Sequence, residues 1–164
     1  MSTLTTQKLF AYNAWAWDRV FASVEKLDAA AYHAPQPFFW GSIHGLLVHC
    51  LAAEWIWYSR CQGNSPTTLL NPDDYPDFVA VRSAWQPIRE NWFNYVNSLA
   101  DEQMTQTIQY RNTRGQTFNL VLSDLLHHVM NHATEHRSQL TPTLYNLDFP
   151  TPPLDYMAFC LQQV

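Results

Sequence analysis

Apolar residues recur at helical spacing in four long stretches of this chain, separated by segments rich in proline and polar residues. In the first stretch Leu9, Tyr12 or Asn13, Ala16, Val20, Val24 and Leu27 fall near a 3.6-residue period, which predicts a helix from about Thr3 to about Leu27. Residues 28–41 carry Pro35, Pro37 and the run Phe38-Phe39-Trp40, and read as a loop packed onto the end of the helices. Ser42 is a plausible N-cap for a second helix through about Cys61, with Ile43, Leu46, Leu47, Cys50, Ala53 and Trp57 on one stripe. Gly63-Asn64-Ser65-Pro66 ends it, and residues 64–77 form a polar connection. A third helix is expected from about Phe78 to Leu99. Pro87 lies within it and predicts either a kink or a later start near Ser83.

Alternation in Thr105–Tyr110, the Asn112-Thr113-Arg114-Gly115 turn and Gln116-Thr117-Phe118 predict a short hairpin. A fourth helix follows from about Leu120 to Tyr145, and prolines at 150, 152 and 153 precede a short final helix, Leu154 to Leu161. The expected fold class is all-α, a four-helix bundle in a single domain over residues 1–164, with a short hairpin or loop before the last long helix and a short C-terminal helix. Few glycines (four) and punctuating prolines (ten) support long helices over a multi-strand barrel.

Composition narrows the class of protein. The chain is 47% apolar and 14% charged, which is globular rather than disordered, and its 15% aromatic content includes seven Trp, enough for a thick core or a buried subunit interface. A net charge of −5 without a basic run argues against nucleic-acid binding. No apolar run is long enough for a membrane span, and Met1-Ser2-Thr3-Leu4-Thr5-Thr6-Gln7-Lys8 lacks the features of a signal peptide. Cys50, Cys61 and Cys160 are too few and too widely spaced for a disulfide framework or a Cys-x-x-Cys metal pair, so a cytoplasmic, reduced protein is expected.

The candidate chemistry lies in the fourth helix, where four of the seven histidines fall between His127 and His136. The apolar stripe there runs Leu122, Leu126, Val129, Ala133, His136, Leu140, Leu144, so His136 stands where a core residue belongs and His132 lies one turn earlier on the edge of that face. His49 takes an inward position in the second helix, among Leu46, Ala53 and Ile56. A single core histidine usually finds a hydrogen-bond partner. Three converging ones favour a shared divalent ion, zinc or nickel, bound by three protein ligands with a fourth position open. His128 is rotated about 80° from His136 and is expected to flank the site; His127 is expected to be exposed, and His44 and His33 to lie off it.

Other patterns are weaker. His132-Ala-Thr-Glu135-His136 matches the inverted zinc-protease motif, but no further Glu ligand follows it. Glu25, Glu54, Glu90, Glu102 and Glu135 do not make the paired Glu-x-x-His set of a di-iron bundle. Cys50 adjoins His49 yet points about 100° away from it, as a small buried thiol would.

The segment Leu126-His127-His128-Val129-Met130-Asn131-His132-Ala133-Thr134-Glu135-His136-Arg137-Ser138-Gln139 resembles the L-x-H-x-x-N-H-x-x-H-R-G-Q ending of the last long helix in the DinB/YfiT-like family. Gly41-Ser42-Ile43-His44-Gly45-Leu46-Leu47-Val48-His49 is similar to that family's second-helix motif, and Leu154-Asp155-Tyr156-Met157-Ala158-Phe159 to its ending. The resemblance spans nearly the whole chain. It implies a four-helix bundle, often a homodimer, with a divalent metal on His49, His132 and His136. Relatives include S-transferases and isomerases that act with low-molecular-weight thiols such as bacillithiol, mycothiol or glutathione on a small electrophile. Ser138 departs from the family's usual Gly, and Glu135 stands where His is frequent. Neither removes a ligand. Arg137 and Gln139 match, with an expected role in supporting the site or the packing.

Overall fold

A computed structural model describes residues 2–162; Met1, Gln163 and Val164 lie outside the described residues. The chain is mostly helical, with a small two-stranded sheet: α1 Thr3–Val24, α2 Ala29–His33, α3 Ile43–Cys61, α4 Phe78–Ser98, β1 Thr107–Arg111, β2 Thr117–Val121, α5 Leu122–Asn146 and α6 Tyr156–Leu161. The long helices α1 and α3 each pack against both α4 and α5. None of the described helices is long and apolar enough to cross a membrane.

Helix starts are set by short polar side chains that accept a backbone N–H left free in the first turn. Ser42 does this for α3, accepting from Gly45 N at 3.0 Å, as expected from the sequence. Asp77 accepts from Ala80 N at 2.8 Å, and this cap fixes the start of α4 at Phe78 rather than near Ser83. Pro87 therefore sits inside α4. Both Pro87 and Ser83 are exposed, so the carbonyl that loses its partner faces water, while Trp85 and Trp92 anchor the helix on its buried side. Pro142 sits within α5 in the same way, with Ser138 exposed. The 28–41 segment is not entirely loop. Asp28 caps the short helix α2, and His33, expected in a loop, is its last residue.

The hairpin pairs Thr107 with Val121 through Arg111 with Thr117. Its turn is closed by Asn112, whose Oδ1 accepts from Arg114 N and Gln116 N, and by Gly115 at φ 79°. The last residue of β2 leads directly into α5, and Leu122 N donates to the Gln106 carbonyl at 2.8 Å. The hairpin thereby fixes where the histidine-bearing helix begins.

Aromatic packing fills the interior. Trp17 and Trp85 meet at 4.9 Å between ring centroids, with Phe21 against both, and a second group gathers Phe10, Trp92, Leu125, Leu126 and Val129. One polar network lies between them and touches all four long helices. Arg137 of α5 donates to Asn13 Oδ1 of α1 and to Thr134 Oγ1, Asn13 Nδ2 donates to Glu54 Oε1 of α3 at 3.2 Å, and Trp85 Nε1 of α4 donates to Glu54 Oε2 at 2.7 Å. Glu54 and Arg137 are both buried. Burial pushes the Glu54 carboxyl up against the opposing pull of these hydrogen bonds, and pushes the Arg137 guanidinium down.

Candidate metal centre

Helical periodicity carries His136 to the buried stripe of α5 and His132 to its half-buried edge, while His49 looks across from α3. The three Nε2 atoms converge: His49 to His132 at 3.0 Å and His136 to His132 at 3.1 Å. All three offer ligand atoms within 4.8 Å of one another. Nitrogens bound tetrahedrally to zinc at about 2.0–2.1 Å lie roughly 3.3 Å apart, so the spacing suits such an ion.

Proton bookkeeping points the same way. His136 Nδ1 donates to Gln139 Oε1 at 2.9 Å, which leaves a lone pair on His136 Nε2. His132 Nε2 faces two other Nε2 atoms and can direct at most one proton at one of them. At most one of the two contacts can then be a hydrogen bond, and the other is left unsatisfied, a conflict that a shared cation removes. Gln139, one turn along α5, fixes the tautomer that ligation requires.

Trp40 stacks on His49 with ring centroids 3.7 Å apart and planes 14° from parallel. This contact depends on Gly45, where a Cβ would collide with the Trp40 carbonyl. Of the expected aromatic run, Phe38 and Trp40 pack inward and Phe39 is exposed. On the other flank exposed His128 lies 5.8 Å from the His132 ring and 4.9 Å from Trp57. His127 is exposed. His44 is occupied elsewhere, donating Nε2–H to the Tyr75 carbonyl at 2.7 Å, and His33 lies against it. Glu135 is exposed, Ser138 donates to its carbonyl, and neither reaches the triad. Cys50 is buried, and burial pushes its thiol well above the ordinary range.

Two of the network residues, Asn13 and Glu54, were readable as polar residues on apolar stripes, since Glu54 follows Leu47 and Leu51 at helical intervals. The role of Trp40 carries no such signal, because a loop residue has no periodicity.

Burial, then the neighbouring His132 and His136, lowers the His49 pKa to about 3; burial, then His136 and His128, lowers that of His132 to about 4. In the unfolded chain both take a proton near pH 6.5. Between these limits the unfolded state binds more protons, so stability falls as pH falls from about 6.5 toward 4. For metal-free protein the expected loss is about 1–3 kcal/mol, discounted for half-exposed rings. Urea unfolding at pH 7 and pH 4.5 checks it, and equal stability at the two values would contradict this assignment.

Known proteins place this geometry in context. A curated relative, "Protein DinB" of Bacillus subtilis (strain 168), is 24% identical over 156 residues, covering 91% of this chain and 90% of the relative. The sequence model of the DinB family matches residues 1–163, and the chain belongs to the DinB family.

Proposed function

We propose that His49, His132 and His136 hold a divalent metal ion, zinc or nickel, and that the protein is a metal-dependent S-transferase, or a related hydrolase or isomerase, acting with a low-molecular-weight thiol. The convergence of three Nε2 atoms, with His136 held in the ligating tautomer by Gln139, carries this reading. Three imidazoles leave a tetrahedral ion one open position. When bound, such an ion supplies the acidity that deprotonates a coordinating thiol at neutral pH. The chain's part is to orient and shield. Trp40 covers one face of His49, and the half-buried His49 and His132 lie on the side from which a small molecule arrives. The nucleophilic sulfur comes from the ligand, since Cys50 is sealed in the core. In this reading the four long helices are a four-helix bundle, and the protein is a cytoplasmic homodimer.

One observation favours a second reading, a non-catalytic metal-binding stress-response or interaction protein. The groove of about 630 Å³ between α5 and the C-terminal segment is lined by Tyr12, Arg137 and Leu154, and by none of the three histidines.

Metal-loaded protein mixed with glutathione or bacillithiol and a chlorinated aromatic is expected to form the thioether, the C–S bond replacing C–Cl with release of chloride and the thiol proton. His136→Ala should lower the rate by more than the roughly 10–100-fold that loss of an outer hydrogen-bond partner costs. Metal bound without turnover across several thiols selects the second reading.

A further inference from the structure

Arg60, at the other end of α3 from His49, is 6% exposed, and its guanidinium is gripped between Trp57 at 4.3 Å and Tyr110 of β1 at 4.5 Å. Its Nε is sealed from solvent without a partner. Among the described residues the guanidinium makes no hydrogen bond and meets no carboxylate. Arg82 and Arg89 by contrast pair with Glu25 and Asp18 at 3.1 and 2.7 Å, and buried Arg137 donates to Asn13 and Thr134. Its two Nη groups are not sealed in this way, but a cation seated this deep with no counter-charge is costly. The two rings offset part of that cost at the faces of the ion. The N–H donors lie in its plane, and their geometry matches a carboxylate held by two parallel hydrogen bonds.

The position lies along the same pair of helices as the histidine triad. Helices α3 and α5 run antiparallel here, so that His49 meets His132 at 5.0 Å and, two turns on, Trp57 meets His128 at 4.9 Å. The Arg60 guanidinium lies back over the Trp57 turn, eight residues or about 12 Å of helix from His49. An extended tripeptide spans about 10 Å. The clamp is also rigid: Tyr110 stacks on Phe118 at 5.7 Å, and the next residue of the strand is tied down by Arg111 N donating to Ser65 Oγ at 3.0 Å. A donor fixed in place before its ligand arrives loses little entropy on binding.

We propose that Arg60 is an anion-binding site which takes the carboxylate of a low-molecular-weight thiol whose sulfur lies at the triad. The carboxylate site stands on the geometry of Arg60; its assignment to a thiol rests on the function proposed above. It makes the protein selective for thiols that carry an acid group.

Calorimetric titration of metal-loaded protein with glutathione and with its diethyl ester tests this. The wild type is expected to prefer the acid by about tenfold. Arg60→Met should abolish that preference by weakening the acid alone, with metal content and circular dichroism unchanged, and Arg60→Lys should keep part of it. No acid preference in the wild type overturns the proposal without any variant. Equal weakening of acid and ester in Arg60→Met also overturns it, and leaves Arg60 only to pin the hairpin. If neither form binds the wild type, the thiol reading fails, and succinate titrated into metal-free protein decides the anion site. A saturable shift of the Trp57 indole N–H signal in wild type that Arg60→Met lacks upholds it, and no shift overturns it.

Discussion

Alanine at His49, His132 or His136 is expected to abolish stable divalent-metal binding, whereas His128→Ala retains it. The three share one locus, with Nε2 atoms 3.0 and 3.1 Å apart across α3 and α5, while the His128 ring stands off beside Trp57. Structural zinc sites bind with about 10–16 kcal/mol spread over four ligands, so one ligand is worth about 3–4 kcal/mol, a weakening of roughly 10²–10³-fold. Elemental analysis of purified protein should find about one ion per chain in wild type and His128→Ala, and little in the other three. Chelation should lower the melting temperature of the wild type. An ion at a hundred times its dissociation constant contributes about 2.7 kcal/mol, which corresponds to about 5–10 °C for a chain of this size. Full metal content in the three variants, or a wild type indifferent to chelation, would refute the assignment.

The second large effect belongs to the buried network. Arg137→Met is expected to cost about 3–5 kcal/mol, because it leaves the Glu54 carboxyl and Asn13 Oδ1 buried without the guanidinium that faces them. At about 2–4 °C per kcal/mol the melting temperature should fall by roughly 6–20 °C. Buried ionic groups replaced together by apolar ones of similar volume are often neutral. The double variant Arg137→Met, Glu54→Met should therefore recover part of the loss, the remainder reflecting Trp85 Nε1 and Asn13 Nδ2, which lose the Glu54 oxygens they donate to. Denaturant unfolding of both proteins gives the comparison. A single variant within 1 kcal/mol of wild type, or a double variant no better than the single, would show that Arg137 and Glu54 are not coupled.

Much of this molecule is local physics written in the sequence. The 3.6-residue stripes of α1, α3 and α5, the Ser42 cap and the Asn112–Gly115 turn follow from interactions within a few residues of one another, and each is where the pattern puts it, save that α1 ends at Val24, short of the expected Leu27. The sites where the sequence is ambiguous or misleading are those where local preference meets packing. Pro87 allows either a kink or a later start near Ser83; the Asp77 cap decides for the start at Phe78, and an exposed carbonyl and the buried flanking tryptophans carry α4 through the proline. A proline-rich segment still holds one turn of helix, because Asp28 caps it.

For the site, periodicity alone places His132 and His136 on one face and turns His49 inward, because side-chain direction along a helix is fixed by residue count. That count says nothing of how two helices 83 positions apart slide and rotate against each other. The contact of His49 with His132, the seating of Trp40 over His49 above Gly45, the link from Arg137 to Glu54 through Asn13, and the clamp of Tyr110 on Arg60 are all decided by the packing of separate elements. Sequence determined which side chains face the interior; only the tertiary structure decided which of them meet, because register between helices is set by the fit of whole surfaces and by the hairpin that starts α5.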